Sequence, residues 1–264
     1  MHRFEVPGAK IAWAFSDESG HPVVQLHGLT SSRSRDRVLD LDLGRGLSGT
    51  RLLRYDARGH GHSTGRPVPE DYRWSALADD LLRLLDLWFP HEQVHGVGPS
   101  MGTATLLHAA VRDPDRFSGL TLLLPPTAWE TRAAVAGDYL RAAEFIEEHG
   151  AARLVAAGRS APKPPASVGH PDTEPDVSET LLPSVYRGAA LSDLPDPARI
   201  AALPHPTTVL AWIDDPTHPV STAEALVSLM PNATLHVAST SEEVQRWPAV
   251  LAADVARLRE QPVV

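Results

Sequence analysis

The 264-residue sequence contains no cysteine. That excludes disulfides, a thiolate nucleophile, and any zinc or iron–sulfur site built on cysteine. Basic residues are also in deficit: 24 Lys and Arg stand against 33 Asp and Glu, a formal net charge of −9. A nucleic-acid surface needs a basic patch, so no nucleic-acid partner is expected. No run approaches the roughly 18 apolar residues that span a bilayer. His2, Arg3, Glu5 and Lys10 interrupt the N-terminus where a signal peptide would carry its apolar stretch. No membrane partner is expected, and the default location is the cytoplasm. His and carboxylate clusters at metal-ligand spacing are missing as well; His60 and His62 alone are too few. Gly96-Val-Gly98 lacks the third glycine of a dinucleotide fingerprint, so no cofactor is expected. The last absence is local: 13 histidines are present, but none lies between Val237 and Val264.

What is present reads as a globular chain, with 42% hydrophobic and 22% charged residues. From Ile11 to Arg132 short apolar runs alternate with helical patterns. Pro22–His27, Thr50–Asp56, Gln93–Gly98 and Phe117–Leu124 read as strands, the last a continuous apolar run suited to the interior of a parallel sheet. Leu77, Leu81, Leu84, Leu85 and Trp88 have the spacing of an amphipathic helix over 74–88, and a second helix is expected over Met101–Arg112. Residues 127–158 are mostly helical in pattern. Residues 160–176 hold five prolines (Pro162, Pro164, Pro165, Pro171, Pro175) and read as an extended loop. The alternation then resumes with strands at 207–213 and 233–238 and helices at 221–230 and 247–259. The expected architecture is α/β: a mostly parallel sheet flanked by helices, formed by residues 1–126 and 204–264 and interrupted by a helical cap insertion at 127–203.

The strongest local motif is Gly98-Pro-Ser-Met-Gly102, between an expected strand and an expected helix. This is a nucleophile elbow: small residues permit a sharp turn that holds Ser100 above the sheet edge. The helix opening at Met101 aims its amide N–H groups, and the positive end of its dipole, at the same point. His27-Gly28-Leu29 ends a strand and opens a loop, so the N–H groups of Leu29 and Met101 are candidates for a two-donor oxyanion hole.

With the loop Arg54-Tyr-Asp-Ala-Arg-Gly-His-Gly-His-Ser63 added, the order and spacing of these motifs resemble the α/β-hydrolase superfamily. Within it the chain is similar to the enol-lactonases of aromatic catabolism and their small esterase relatives. The resemblance implies the α/β-hydrolase fold with a helical cap, and assigns His27 and the RGHG loop to support of the oxyanion loop. It also places the catalytic acid after the strand that follows the insertion. Trp212-Ile-Asp-Asp-Pro-Thr-His-Pro219 fits that place, with Asp215 four residues before a proline; Glu130 is the weaker alternative.

The family's general base follows the last strand, and here that loop, Ser239 to Arg246, contains no histidine. A serine hydroxyl is a poor nucleophile without a base, so three explanations stay open. His218, three residues past Asp215, serves instead; Glu242 or Glu243 acts as a carboxylate base; or hydrolysis is impaired and the site binds without turnover. His236 and His170 remain as reserves. Trp129, Arg132, Tyr139, Phe145 and Tyr186 of the insertion are candidates to line a pocket, with Arg132 as an anion partner, and Trp212 and Met101 to wall it. The leading expectation is hydrolysis of a small ester, lactone or related carbonyl substrate by a monomer or homodimer. A hydrolase-like binding protein, or a lyase or cyclase using the same pocket, is the alternative.

Overall fold

The computed structural model describes residues 2–159 and 162–259. Eight strands form one sheet in the order β1-β2-β4-β3-β5-β6-β7-β8. They are β1 His2–Val6, β2 Ala9–Asp17, β3 Pro22–Gln25, β4 Arg51–Tyr55, β5 Val94–Pro99, β6 Phe117–Leu123, β7 Thr207–Trp212 and β8 Ala233–Ala238. From β4 to β8 every neighbouring pair is parallel. The sequence reading had no strands before Pro22. β1 and β2 form an antiparallel hairpin on the edge of the sheet, turning through Gly8 at φ +80°. The outer strand is mostly exposed, which leaves it without the apolar run that marks a buried strand.

Among the described residues ten α-helices join or follow these strands: α1 Arg33–Val38, α2 Trp74–Trp88, α3 Met101–Arg112, α4 Arg132–His149, α5 Ala151–Gly158, α6 Leu182–Ala190, α7 Pro197–Ala201, α8 Val220–Leu229, α9 Ser241–Val244 and α10 Trp247–Arg259. Strand side chains alternate between two cores, as a pleated sheet requires. Val24 and Leu53 face the layer containing α2 and α3, whereas Val23 and Leu52 face Leu43, Trp247, Leu251 and Val255 on the other side. The apolar stripe read for α2 is its buried face: Leu77, Leu81, Leu84 and Leu85 are all enclosed.

Helices α4 to α7 lie in the connection from β6 to β7. Of the proline-rich segment, Ser160 and Ala161 lie outside the described residues; the rest is irregular apart from one turn at Pro165–Ser167. Its end crosses the carboxyl edge of the sheet. The Asp176 N–H donates to Thr30 C=O, Gly61 N–H donates to Asp176 C=O, and Val177 pairs with His60. This segment therefore covers the loops that follow β3 and β4.

The loop after β4 is fixed by a buried ion pair in which Arg58 donates two hydrogen bonds of 2.7 Å to Asp80 of α2. Removing one member of such a pair leaves an uncompensated buried charge. Asp71, 3.4 Å from the same guanidinium, remains as a partial partner, so Asp80→Ala should lower stability by about 3 kcal/mol, the low end of the range for breaking a buried pair, read as a reduced urea midpoint at unchanged slope.

Candidate active site

Ser100 stands between the last residue of β5 and the first of α3, at φ 52° and ψ −110°. That is a conformation a residue with a Cβ adopts only under constraint. The constraint comes from its surroundings: Ser100 N–H donates to Leu123 C=O at 2.9 Å. The Thr103 hydroxyl lies 2.8 Å from the carbonyls of both Gly98 and Leu123. The flanking glycines are required by space. A Cβ on Gly98 would lie 2.9 Å from Leu26 Cβ, and one on Gly102 would lie 3.1 Å from the His27 carbonyl.

The loop after β3 reaches the same place. A Cβ built on Gly28 would lie 3.9 Å from Ser100 Cβ, so the His27–Leu29 backbone runs beside the serine. The Leu29 N–H has no hydrogen-bond acceptor among the described residues. Met101 is the first residue of α3, where amide N–H groups lack an intrahelical partner. His27 and His60 support this loop from beneath. His27 donates from Nδ1 to Gly28 C=O and accepts from the Ala57 amide at Nε2. His60 accepts from the Thr30 amide and donates to Arg58 C=O. Burial lowers both, pushing His60 down to about 3, so both rings are neutral supports with each nitrogen occupied.

The third component arrives from the loop after β7. His218 Nε2 lies 2.8 Å from Ser100 Oγ, and His218 Nδ1 lies 2.8 Å from Asp215 Oδ2. The turn between them is closed by Asp215 itself, whose Oδ1 accepts the amides of Thr217 at 2.9 Å and His218 at 3.2 Å. From the far side, Thr127 N–H donates to Thr217 C=O. Trp212 donates its indole N–H to Asp215 Oδ2 at 2.7 Å. Burial alone would raise the Asp215 pKa, but the hydrogen bond and charge of His218, the Trp212 N–H and the Thr217 amide outweigh it. They hold the carboxyl well below the usual range. Asp215 is thus an ionised acceptor throughout the neutral range, and it selects the tautomer of His218 with the proton on Nδ1 and a lone pair facing Ser100.

The other candidates fall elsewhere. Asp214 sits at φ 60° in the turn, and the carboxylate bonded to His218 is that of Asp215. The loop after β8 folds into a capped turn. Glu243 accepts from the amides of Ser239 and Thr240 while Thr240 Oγ1 accepts from Glu243 N–H, a capping box that occupies the carboxylate as an anchor. Those amide bonds lower its pKa, the reverse of what a carboxylate base requires. His236 is exposed on the edge strand β8, and His170 lies 3.5 Å from Asp40.

Arg132 needs a correction. Its guanidinium is buried, donates to the carbonyls of Ser192 and Ala189, and stacks over the rings of Trp74 and Tyr139. It joins the β6–β7 connection to the core and is not offered to an anion. Trp129 is similarly engaged, its amide on Asp193 and its indole N–H on the Pro195 carbonyl. Trp212 does flank a cleft of about 290 Å³, together with Arg35, Leu41, His170 and Thr173. Its hydrogen bond to Asp215 is the feature that sequence reasoning missed, since an indole N–H gives no motif. A larger cavity of about 850 Å³ lies between β8 and α10, and none of Ser100, Asp215 or His218 lines it.

Among the described residues, no helix is long and apolar enough to cross a membrane, and no group of three His, Asp or Glu is placed to hold a metal.

Comparison with known proteins identifies the fold. The family model for the alpha/beta hydrolase fold matches residues 21–155. A putative carbamate hydrolase, RutD, from Caulobacter sp. (strain K31) is 26% identical, over 81% of this chain and 85% of its own length. A thermophilic esterase from Thermogutta terrifontis superimposes with a TM-score of 0.76 at 21% identity, covering 98% of this chain and 100% of that one. The enol-lactonase from Burkholderia xenovorans LB400 gives the same TM-score of 0.76 and the same coverage, at 19% identity. At those identities the two structures speak for the fold alone. With more than half of its length matched by the family model and its fold shared with these enzymes, the chain belongs to the α/β-hydrolase family.

Proposed function

We propose that the protein is a serine hydrolase that cleaves a small carboxylic ester, lactone or related carbonyl substrate. Ser100 is the nucleophile, His218 the general base and Asp215 the residue that orients it. The observation that carries this reading is the unbroken chain of two 2.8 Å contacts from Ser100 Oγ through His218 to Asp215 Oδ2. It favours turnover over a binding-only protein, because a pocket that only binds has no use for a base on the serine.

The chemistry follows from the geometry. As Ser100 Oγ attacks the substrate carbonyl, its proton passes to His218 Nε2, and the imidazolium is stabilised by ionised Asp215. The negative charge on the carbonyl oxygen is received by the N–H groups of Leu29 and Met101. Collapse of the tetrahedral intermediate expels the alcohol oxygen, protonated by His218, and leaves an acyl-Ser100. Water, deprotonated by the same His218, then releases the acid and restores the serine. In this reading the segment between β6 and β7 acts as a cap over the site.

The test is turnover of p-nitrophenyl acetate by the wild type and Ser100→Ala. Hydrolysis above the solvent rate that disappears in the variant is expected. Equal rates in the two proteins would overturn the assignment of Ser100.

A further inference from the structure

Beneath the loop that runs beside Ser100 lies a carboxyl group with no part in the Ser–His–Asp chain. Asp36, in α1, is buried, and its Oδ1 accepts the Ser31 hydroxyl at 2.5 Å. The Gly28 backbone amide faces the same carboxyl. Gly28 and Ser31 are themselves joined, Ser31 N–H donating to Gly28 C=O at 3.1 Å. These two residues bracket Leu29, so Asp36, by holding the Ser31 hydroxyl, anchors one end of the short turn that presents the Leu29 N–H, and the Ser31 N–H bond to Gly28 C=O ties the other end to it. Its other oxygen, Oδ2, has no hydrogen-bond partner among the described residues. A buried acceptor left half-satisfied is costly.

We propose that Asp36 is a positioning residue for the oxyanion hole: in its ionised form it holds the Gly28–Ser31 turn so that Leu29 N–H points at the substrate oxygen. This rests on the hydrolase reading above. A carboxylate accepts hydrogen bonds about twice as strong as those of a neutral acid, so the grip tightens when the proton leaves.

That proton leaves in an accessible range. Burial, opposed by the Ser31 hydroxyl, the Arg35 charge and the Gly28 amide, pushes Asp36 up to about 7. The charged and titratable groups around it are Arg33 and Arg35 on its own helix, Asp42 after α1, Arg54 on β4 and His27 after β3. Asp42 is held by Arg37 and Arg54, and Arg33 by Asp56. Arg35 donates to the Thr30 carbonyl, adding a positive charge to the same turn. Below pH 7 Asp36 is neutral and the turn is loosely held; above it the ionised form predominates.

The test compares kcat for p-nitrophenyl acetate in wild type and Asp36→Asn from pH 5.5 to 8.5. Asparagine mimics the neutral acid, and His218 is common to both proteins, so its contribution cancels in the ratio. The expected wild-type to variant ratio is near one at pH 5.5 and about tenfold at pH 8.5, with its midpoint near 7 and KM unchanged. Tenfold is a fraction of the roughly 10²–10³ that loss of a whole oxyanion donor costs. A purely structural role would give a ratio that does not change with pH, and that result would overturn the proposal. If Asp36→Asn does not fold, Ser31→Ala serves. Losing the hydroxyl removes the contact through which Asp36 holds the turn, so the ratio of wild-type to Ser31→Ala kcat should again rise from near one at pH 5.5 to about tenfold at pH 8.5, and a ratio that does not change with pH would overturn the proposal. A fluorophosphonate probe separates the two levels of the argument. Failure to label wild-type Ser100 would sink the hydrolase reading and this role with it, whereas labelling with a flat ratio would sink the role of Asp36 alone.

Discussion

Replacing His218 with alanine should lower kcat for ester hydrolysis by about 10⁴–10⁶-fold while leaving KM and the folded structure nearly unchanged. The size follows from what the ring does. It is the group within 2.8 Å of the Ser100 hydroxyl that has a lone pair to receive its proton, and it returns that proton to the leaving group. Both steps fail together when it is removed, which is why members of such a set are non-additive. About 10⁴–10⁶ in rate corresponds to about 5–8 kcal/mol of transition-state stabilisation. No substitute is at hand: Glu243 is committed to its capping box and His236 is exposed on the edge strand. The fold should tolerate the change, because His218 is partly exposed and its ring contacts are Asp215 and Ser100. Steady-state kinetics beside a thermal melt checks both halves of the prediction.

Asp215→Asn should cost about 10⁴-fold in kcat, close to the effect of losing the base itself. Asp215 accepts four hydrogen bonds, two at each oxygen: the Thr217 and His218 amides at Oδ1, and the Trp212 indole and His218 Nδ1 at Oδ2. All four partners are donors. An asparagine has one oxygen, so its NH₂ must face a pair of donors in either orientation. With NH₂ at the Oδ2 position it opposes Trp212 N–H and turns His218 Nδ1 into an acceptor, which moves the ring proton to Nε2 and leaves no lone pair for Ser100. With NH₂ at Oδ1 it opposes two backbone amides and opens the turn that carries His218. Either outcome disables the base without removing a side chain. Kinetics at saturating substrate measures the loss, and an activity within tenfold of wild type would show that Asp215 does not orient the ring.

Much of the fold was legible because its signals are local. The α2 stripe, the apolar β6 run and the elbow each occupy a few consecutive residues, and their spacing carries the structure. The hairpin β1–β2 was missed because its apolar residues, Phe4 and Val6 and then Ile11, Trp13 and Phe15, alternate with polar or small ones and form no continuous apolar run. Arg132 was misread for the opposite reason: its partners Ser192 and Ala189 lie far along the chain, and nothing in its own neighbourhood announces that an arginine is buried. The base sits between these cases. The residues from Thr240 to Glu243 carry a capping-box pattern, a local signal that the reading of Glu243 as a base did not use. His218 is brought to Ser100 by the closed turn at Asp215 and by the height at which β7 ends beside β6. That depends on tertiary placement, so sequence spacing left it as one option among three.

Catalysis by Ser100 depends on a single loop after β7 supplying both acid and base. The most direct measurement is the second-order rate constant for phosphonylation of Ser100 by a fluorophosphonate probe in His218→Ala, compared with wild type. The predicted result is prompt labelling of wild-type Ser100, located by peptide mass, and a fall of about 10³-fold or more in the variant. Labelling of His218→Ala at the wild-type rate would contradict it, and would mean that Ser100 draws its reactivity from some other group.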